Sequence, residues 1–475
     1  MSAVLASSIA ANLLCLKFKI AAFGTNERMI ETNSSPRLAP GPGTLGTLNY
    51  AIGFVRDPFA VLNNSASTYG PIVRFGIGQR CLHLIHDPAH AQHILIDNNR
   101  NYEKFSPFGM LKLLFGNGLL FNEGPSWFSQ RRLLQPSFQP RQFSEMATGI
   151  SGVITSTVDE WPRQETVETD IEDGMAFLAR RIIGQLLFGD ELSKDLDVVL
   201  ESSGNKVEFF LGNISGTPQN KTYKAAMKRV DDAVYGLIAQ RRANTDAPFD
   251  MLGALMQAQD KETGAGMDDT QLRDEIVTLL FSGFDTTSRT LTWVFHALAE
   301  NPHAEAALHE ELDRVLQGRT PAYEDLPNLS YTQMLIKETM RIFPPNAIIG
   351  RRAKADDNIG GHFIPAGSLL TLSPYLAQRN AELWENPEQF DPHRFSPERE
   401  KLIPRFAYYP FGGGPRQCIG KGLAMMTIPL AIATIAQQYR FASMPGFKIE
   451  HDIKVTFQSR KGIRATRHLR PTYNS

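Results

Sequence analysis

Apolar residues recur at helical spacing along most of the chain, and only a few stretches alternate with period two. The clearest stripe runs from Asp269 to Asn301, where Leu272, Ile276, Leu279 or Leu280, Gly283, Thr286 or Thr287 and Thr290 keep a 3.6-residue repeat. Asp268, Asp269 and Thr270 offer N-caps, and Asn301-Pro302 ends the run. Further helices are expected through Ala89–Asn98, across YTQMLIKETMRIF (Tyr331–Phe343), and over Lys421–Tyr439, where the internal Pro429 predicts a kink or an early 3₁₀ turn. Around Pro71–His86 and in GGHFIPAGSLL the pattern reads as short strands around glycine-containing turns. Gly149–Ala258 is helix-rich and chemically silent. The chain is therefore expected to be mainly α with a small β region.

The long helix has an odd centre, SGFDTT (Ser282–Thr287), since glycine, an acid and threonines are poor occupants of a buried helix. Thr286 can bond back to the Ser282 carbonyl, loosening the helix there, and Gly283 would let a flat ligand lie close. The segment Asn101–Phe121 is apolar without clear period, which fits core packing or the wall of an apolar cavity.

Composition adds little. The chain has 475 residues and a net charge of −1, which gives no argument for nucleic acid or a polybasic membrane patch. Three cysteines leave no disulfide framework and fit a reducing compartment. No linker-like break follows the proline-rich RLAPGPG (Arg37–Gly43), so residues 36–475 read as one domain behind a loose extension, residues 1–35. Met1–Leu16 is too short and too polar for a span of about 20 apolar residues. A soluble, cytoplasmic protein is expected, with room for weak membrane contact through residues 1–20.

One stretch concentrates chemistry: FGGGPRQCIG, Phe411–Gly420. Cys418 stands at the start of the expected Lys421–Tyr439 helix, where free N–H groups favour thiolate over thiol, as a metal ligand or a nucleophile. Gly414 permits a turn that a side chain would block. Arg416 is a planar fork suited to carboxylates. Gly420 and Ala424 keep one side of the helix flat, and Phe411 offers an aromatic wall. A buried structural cysteine, the reading that suits Cys15 and Cys81, competes with this.

Phe411, Gly414, Arg416, Cys418 and Gly420 together resemble the haem-binding loop of the cytochromes P-450. That resemblance implies the cytochrome P-450 fold, a single triangular domain with haem b buried between the long helix and the cysteine loop. Cys418 would be the axial ligand of the iron and Arg416 a propionate partner. Other motifs follow in the family's order. Trp127 and Arg131, one helical turn apart, resemble a Trp-x-x-x-Arg pair that donates to propionates, and Arg351 aligns with a third propionate ligand. SGFDTT resembles the oxygen-activating motif, with Asp285 relaying protons and Thr286 holding an oxygen ligand; Ser282 departs from the family's Ala or Gly. Glu338 and Arg341 resemble the family's Glu-x-x-Arg, with Arg394 as third member of a structural network.

The resemblance implies a monooxygenase that inserts one atom of O2 into a C–H bond of a hydrophobic molecule. A terpenoid is favoured over a fatty acid or polyketide, and Phe105, Phe108, Met110, Leu114, Phe281, Ile348 and Ile349 are candidate substrate contacts. No redox segment is attached, so electrons from NAD(P)H would come through a separate ferredoxin and its reductase, or a flavodoxin or diflavin reductase. Arg132 and Lys421 are candidate docking residues of a monomer. A haem-thiolate isomerase, dehydratase or peroxygenase on the same fold is the alternative, and a haem sensor without turnover a further one; the Asp285–Thr286 pair argues against both.

Overall fold

Asp268 starts the longest helix by accepting the Gln271 N–H at 2.7 Å, and apolar side chains then bury most of its circumference. A computed structural model describes residues 37–77, 80–105, 112–189, 218–244, 250–260 and 264–470. Phe108 and Met110 lie outside these residues, as does the 1–35 extension, and the side chain of Leu114 is likewise not described.

In chain order, α1 (Thr44–Arg56) and α2 (Pro58–Tyr69) lead into the hairpin β1 (Ile72–Ile77) and β2 (Arg80–Ile85). Pro88–Gln92 is a short helix that relaxes into a π turn at His93–Asp97, and β3 (Tyr102–Lys104) follows. Then come α3 (Gly124–Leu134), α4 (Pro140–Asp159), β4 (Thr166–Asp170), α5 (Ile171–Phe188), α6 (Pro218–Ala243), α7 (Met251–Gln257) and the long α8 (Asp269–Glu300). The C-terminal part holds α9 (Pro302–Leu316), α10 (Ser330–Ile342), β5 (Ile349–Ala353), β6 (Asp357–Ile359), β7 (His362–Ile364), β8 (Leu369–Leu372), α11 (Lys421–Gln438), β9 (Tyr439–Ser443), β10 (His451–Ile453), β11 (Phe457–Ser459) and β12 (Arg464–Leu469).

The main sheet has the order β1-β2-β8-β5-β3, with only β2–β8 parallel. A second sheet, β4-β12-β9, uses a strand from the helix-rich middle that alternation did not reveal. Helix α8 packs on α5 most extensively and also on α10 and α11, so it is sheathed by helices. The β10–β11 hairpin is pinned beneath it: Trp293 Nε1 donates to Phe457 O at 3.2 Å, and its indole stacks on Phe343. Pro429 sits in α-helix that is continuous from Lys421 to Gln438, without the expected 3₁₀ turn. Proline removes one backbone bond, and the helix is held on all sides there by buried Ile428, Leu430, Ala431 and Ile432.

Glu338 and Arg341 are wholly buried and bidentate, at 2.7 and 2.8 Å. Arg341 also donates to the carbonyls of Gln378, Pro387 and Gln389. Glu338 Oε1 accepts from Asp391 N–H at 2.9 Å and lies 3.4 Å from Arg394 Nε. Burial pushes the Glu338 carboxyl up, and Arg341 opposes that. The network ties α10 to the segment that leads into the cysteine loop.

Glu338→Ala should therefore leave Arg341 unpaired in the core and cost about 3–5 kcal/mol. Urea unfolding of the variant checks this, and an unchanged midpoint would remove the network from the stabilising core.

Candidate active site

Gly414 explains the shape of the cysteine loop. Its φ is +71°, and a Cβ there would lie 1.8 Å from Leu95 O, so no other residue fits. The loop then closes on itself, Cys418 N donating to Phe411 O at 3.0 Å. Burial pushes the Cys418 thiol up, while the Gly420 and Lys421 N–H groups, Arg131 and Lys104 favour the thiolate. The Cys418 side chain is accessible, although protein surrounds it closely. Both hold when a thiol faces an internal chamber. A Cβ on Gly420 would meet only Cys418 Sγ, at 3.9 Å, so that side of α11 is open.

Cations gather around this chamber. Trp127 is buried, and Arg416 lies 3.8 Å over its ring. Arg416 Nη2 also bridges to Glu123 at 2.5 Å and donates to Asn122 O. Arg131 Nη1 donates to Gln417 O at 3.1 Å. Arg351 is buried, its Nη1 donating to its neighbour's carbonyl at 2.8 Å; burial, with Arg416 beside it, pushes it down to about 10. Sequence reasoning missed Lys104, which β3–β5 pairing sets opposite Arg351. Its ammonium meets no protein acceptor among the described residues, and burial, then Arg351 and Arg416, pushes it down to about 7. Of the four cations here, Lys104, Arg351 and Arg416 share one carboxylate, Glu123. Only the cross-strand register reveals the fourth.

On α8, Thr286 Oγ1 donates to Ser282 O at 2.7 Å, and Ser282 Oγ to Thr278 O at 2.6 Å. Gly283 does not face a flat ligand. A Cβ there would stand 2.6 Å from Ile183 Cδ1, so the glycine serves the close approach of α5. Asp285 is clamped: Arg289 Nε donates to Oδ1 at 3.2 Å and Thr456 Oγ1 to Oδ2 at 2.7 Å, while Arg289 also pairs with Glu172. Neither Arg289 nor Thr456 was visible as a partner in the sequence. The apolar candidates divide. Phe281 meets Phe115 edge-on at 5.4 Å, and Phe115 stacks on Phe121 at 5.1 Å. Ile349 Cδ1 lies 3.7 Å from where a Gly412 Cβ would stand. Ile348 is partly buried against the main core. Phe105 rests on Gly350 with Arg352 over its ring. Arg132 points outward but is held by Asp260 at 3.1 Å, and Lys421 is exposed.

The family model described as Cytochrome P450 matches residues 40–458. The chain belongs to the cytochrome P450 family. It is 34% identical to cyclooctatin synthase of Streptomyces melanosporofaciens, covering 86% of this chain and 91% of that one. It is 33% identical to cyclooctat-9-en-7-ol 5-monooxygenase of the same organism, over 85% and 90% of the two chains. Pentalenene oxygenase of Streptomyces avermitilis is 31% identical over 85% and 91%. The crystal structure of a cytochrome P450DA heme domain superposes with a TM-score of 0.83 at 23% identity, covering 92% of this chain and 98% of that one, which supports the fold. This P450 is an oxidoreductase of the monooxygenase type.

Family membership implies haem with a cysteine thiolate, and the chamber fits it. Cations short of counter-charge suit a dianionic group, and an accessible sulfur enclosed by protein suits a flat macrocycle laid against Gly420. No helix among the described residues is long and apolar enough to cross a membrane.

Lys104→Leu should weaken haem retention roughly tenfold or more, the worth of one charge-assisted hydrogen bond. Haem transfer to an excess of apomyoglobin measures this, and an unaltered rate would place the ammonium outside the propionate cradle.

Proposed function

We propose that this P450 hydroxylates a terpenoid at a C–H bond. The observation that carries the reading is the pair Asp285–Thr286, set where Thr286 bonds back to Ser282 in a family member with terpene-oxidising relatives. The chemistry a bound haem supplies is reductive splitting of O2 and insertion of one oxygen atom into a C–H bond.

The chain's own residues prepare that chemistry. Cys418 ligates the metal as a thiolate, kept so by the N–H groups at the start of α11. Trp127, Arg131, Arg351 and Arg416, joined by Lys104, hold the two propionates and fix the orientation of the macrocycle. Thr286 holds a water by its hydroxyl. Asp285 takes protons on the Thr456–Arg289 side and delivers them through Thr286 after its carboxyl turns. Phe281, Ile348 and Ile349, with Phe105 at the edge, offer the substrate an apolar surface that excludes water. A ferredoxin with its reductase supplies electrons singly, docking near Lys421 and the Arg132–Asp260 pair.

Optical titration of the ferric protein with terpenes, fatty acids and macrolide-like compounds tests the substrate class. Terpenoids alone should move the Soret band toward the high-spin position, and a response only to fatty acids would overturn the class. With a responding terpene, Asp285→Asn and Thr286→Ala should each lower product per electron by roughly a hundredfold, with peroxide or water formed instead. Equal turnover without NAD(P)H and O2 would favour the isomerase reading, and equal turnover on added hydrogen peroxide in their place the peroxygenase reading.

A further inference from the structure

Both oxygens of Asp285 are engaged by partners other than Thr286. Thr456 Oγ1 donates to Oδ2 at 2.7 Å and Arg289 Nε to Oδ1 at 3.2 Å, while the Thr286 hydroxyl gives its proton to Ser282 O. Passing a proton to Thr286 therefore requires the carboxyl to leave Arg289. How firmly Arg289 holds it depends on a third residue. Arg289 Nη1 donates to Glu172 Oε1, in the first turn of α5. One guanidinium thus serves two carboxylates.

The two shares are unequal. A guanidinium–carboxylate bond is usually ~2.7–2.9 Å long and often doubled in a fork. Asp285, one turn before Arg289 on the same helix face, receives a single bond at 3.2 Å from Nε alone. Glu172 depends on Arg289 more heavily. Its Oε1 takes Nη1, and its Oε2 is buried without a partner among the described residues, so Arg289 offsets most of its charge. Lys454, between β10 and β11, adds a smaller pull. The backbone of Glu172 is anchored as well. Asp170 Oδ1 accepts the Glu172 N–H at 2.8 Å and the Ile463 N–H at 3.1 Å, and Ile171 N donates to Ile463 O at 2.9 Å. Behind Asp170 there is no slack: at Gly462, where φ is +78°, a Cβ would lie 2.0 Å from Asp170 Oδ2.

We propose that Glu172 is a positioning residue: by drawing the Arg289 fork toward α5 it leaves Asp285 a single loose bond, so that the carboxyl can turn to Thr286. The consequence for turnover rests on the relay reading of Asp285 and Thr286, whereas the competition for Arg289 stands on the geometry of the three side chains. Arg289 and Glu172 keep only 15% and 19% of their side-chain surface, so their attraction is screened less than that of an exposed pair. Without the Glu172 charge the fork closes on Asp285 with two N–H groups. The acid then stays on the Thr456–Arg289 side, and proton delivery slows. No proton passes through Glu172 itself.

The test uses the haem-loaded protein and a terpene that shifts the Soret band. Glu172→Gln keeps the shape of the side chain and removes its charge. It should lower product per electron by about three- to tenfold, the worth of one added charge-assisted bond on Asp285, and raise the solvent deuterium isotope effect on turnover. Adding Arg289→Gln should restore product per electron, because no guanidinium then holds Asp285; a merely structural Glu172 would make the double variant worse. Urea unfolding gives a readout without turnover. The coupling between Asp285 and Arg289, from the cycle of Asp285→Asn, Arg289→Gln and both together, should grow severalfold in the unfolding constant when residue 172 is changed by Glu172→Gln. If that variant does not fold, Glu172→Asp, one methylene shorter, takes its place. An unchanged coupling overturns the competition, and a larger coupling with an unchanged isotope effect overturns the role in turnover. Wild-type product per electron in Asp285→Asn would instead remove the relay reading, and with it the consequence for turnover, while the unfolding cycle still decides the competition.

Discussion

A low-dielectric chamber that must hold a thiolate and a crowd of cations is the constraint on which the rest of this P450 depends. Lys104, Arg131, Arg351 and Arg416 come from four separate elements of the chain, and Glu123 is the carboxylate beside three of them, Lys104, Arg351 and Arg416. Burial, and after it repulsion from Arg351 and Arg416, weakens the hold of Lys104 on its proton there. A protein can maintain such an arrangement when a dianionic partner belongs in it and when the surrounding frame is stiff. The cofactor and the fold are thus parts of one electrostatic solution.

The frame is stiffened by a second set of charges, kept away from the first. Glu338 and Arg341 bury a bidentate pair and spend the remaining guanidinium donors on carbonyls of the segment before the cysteine loop. Every donor finds an acceptor, so the loop inherits a fixed starting point. Gly414 then turns where Leu95 O leaves no room for a side chain, and the sulfur arrives at the start of α11.

Along α8 one strip of helix meets opposing demands. Gly283 makes room for Ile183 and so lets α5 approach, while Ser282 and Thr286 turn hydroxyls back onto the helix itself. Asp285 is drawn away by Thr456 and Arg289, which come from a distant hairpin and from the next turn. Closer to the start of the helix, Asp274 and Glu275 hold Asn117 and Leu119, between the stacked rings of Phe115 and Phe121. A single helix therefore connects the Phe281 ring cluster, Asp285 and the core.

Much of this was legible in the sequence because the signals were local. The cysteine loop, the Trp127–Arg131 turn, the Glu338–Arg341 spacing and the span of α8 are each set by neighbours a few residues apart, which chain geometry alone brings together. What was misread or missed depended on partners far along the chain. Gly283 looked like a ligand-facing glycine until α5 proved to lie against it, and the early 3₁₀ turn expected at Pro429 gave way to an α-helix continuous from Lys421 to Gln438. Lys104 needed β3 to pair with β5, and Glu275 needed the 116–121 segment to close over it. The sequence by itself determined the family, the helices and the residues that make up its motifs. Tertiary structure decided which way each polar group faces and what it is left to pair with, because burial and cross-chain contact set those energies and neither is encoded in spacing.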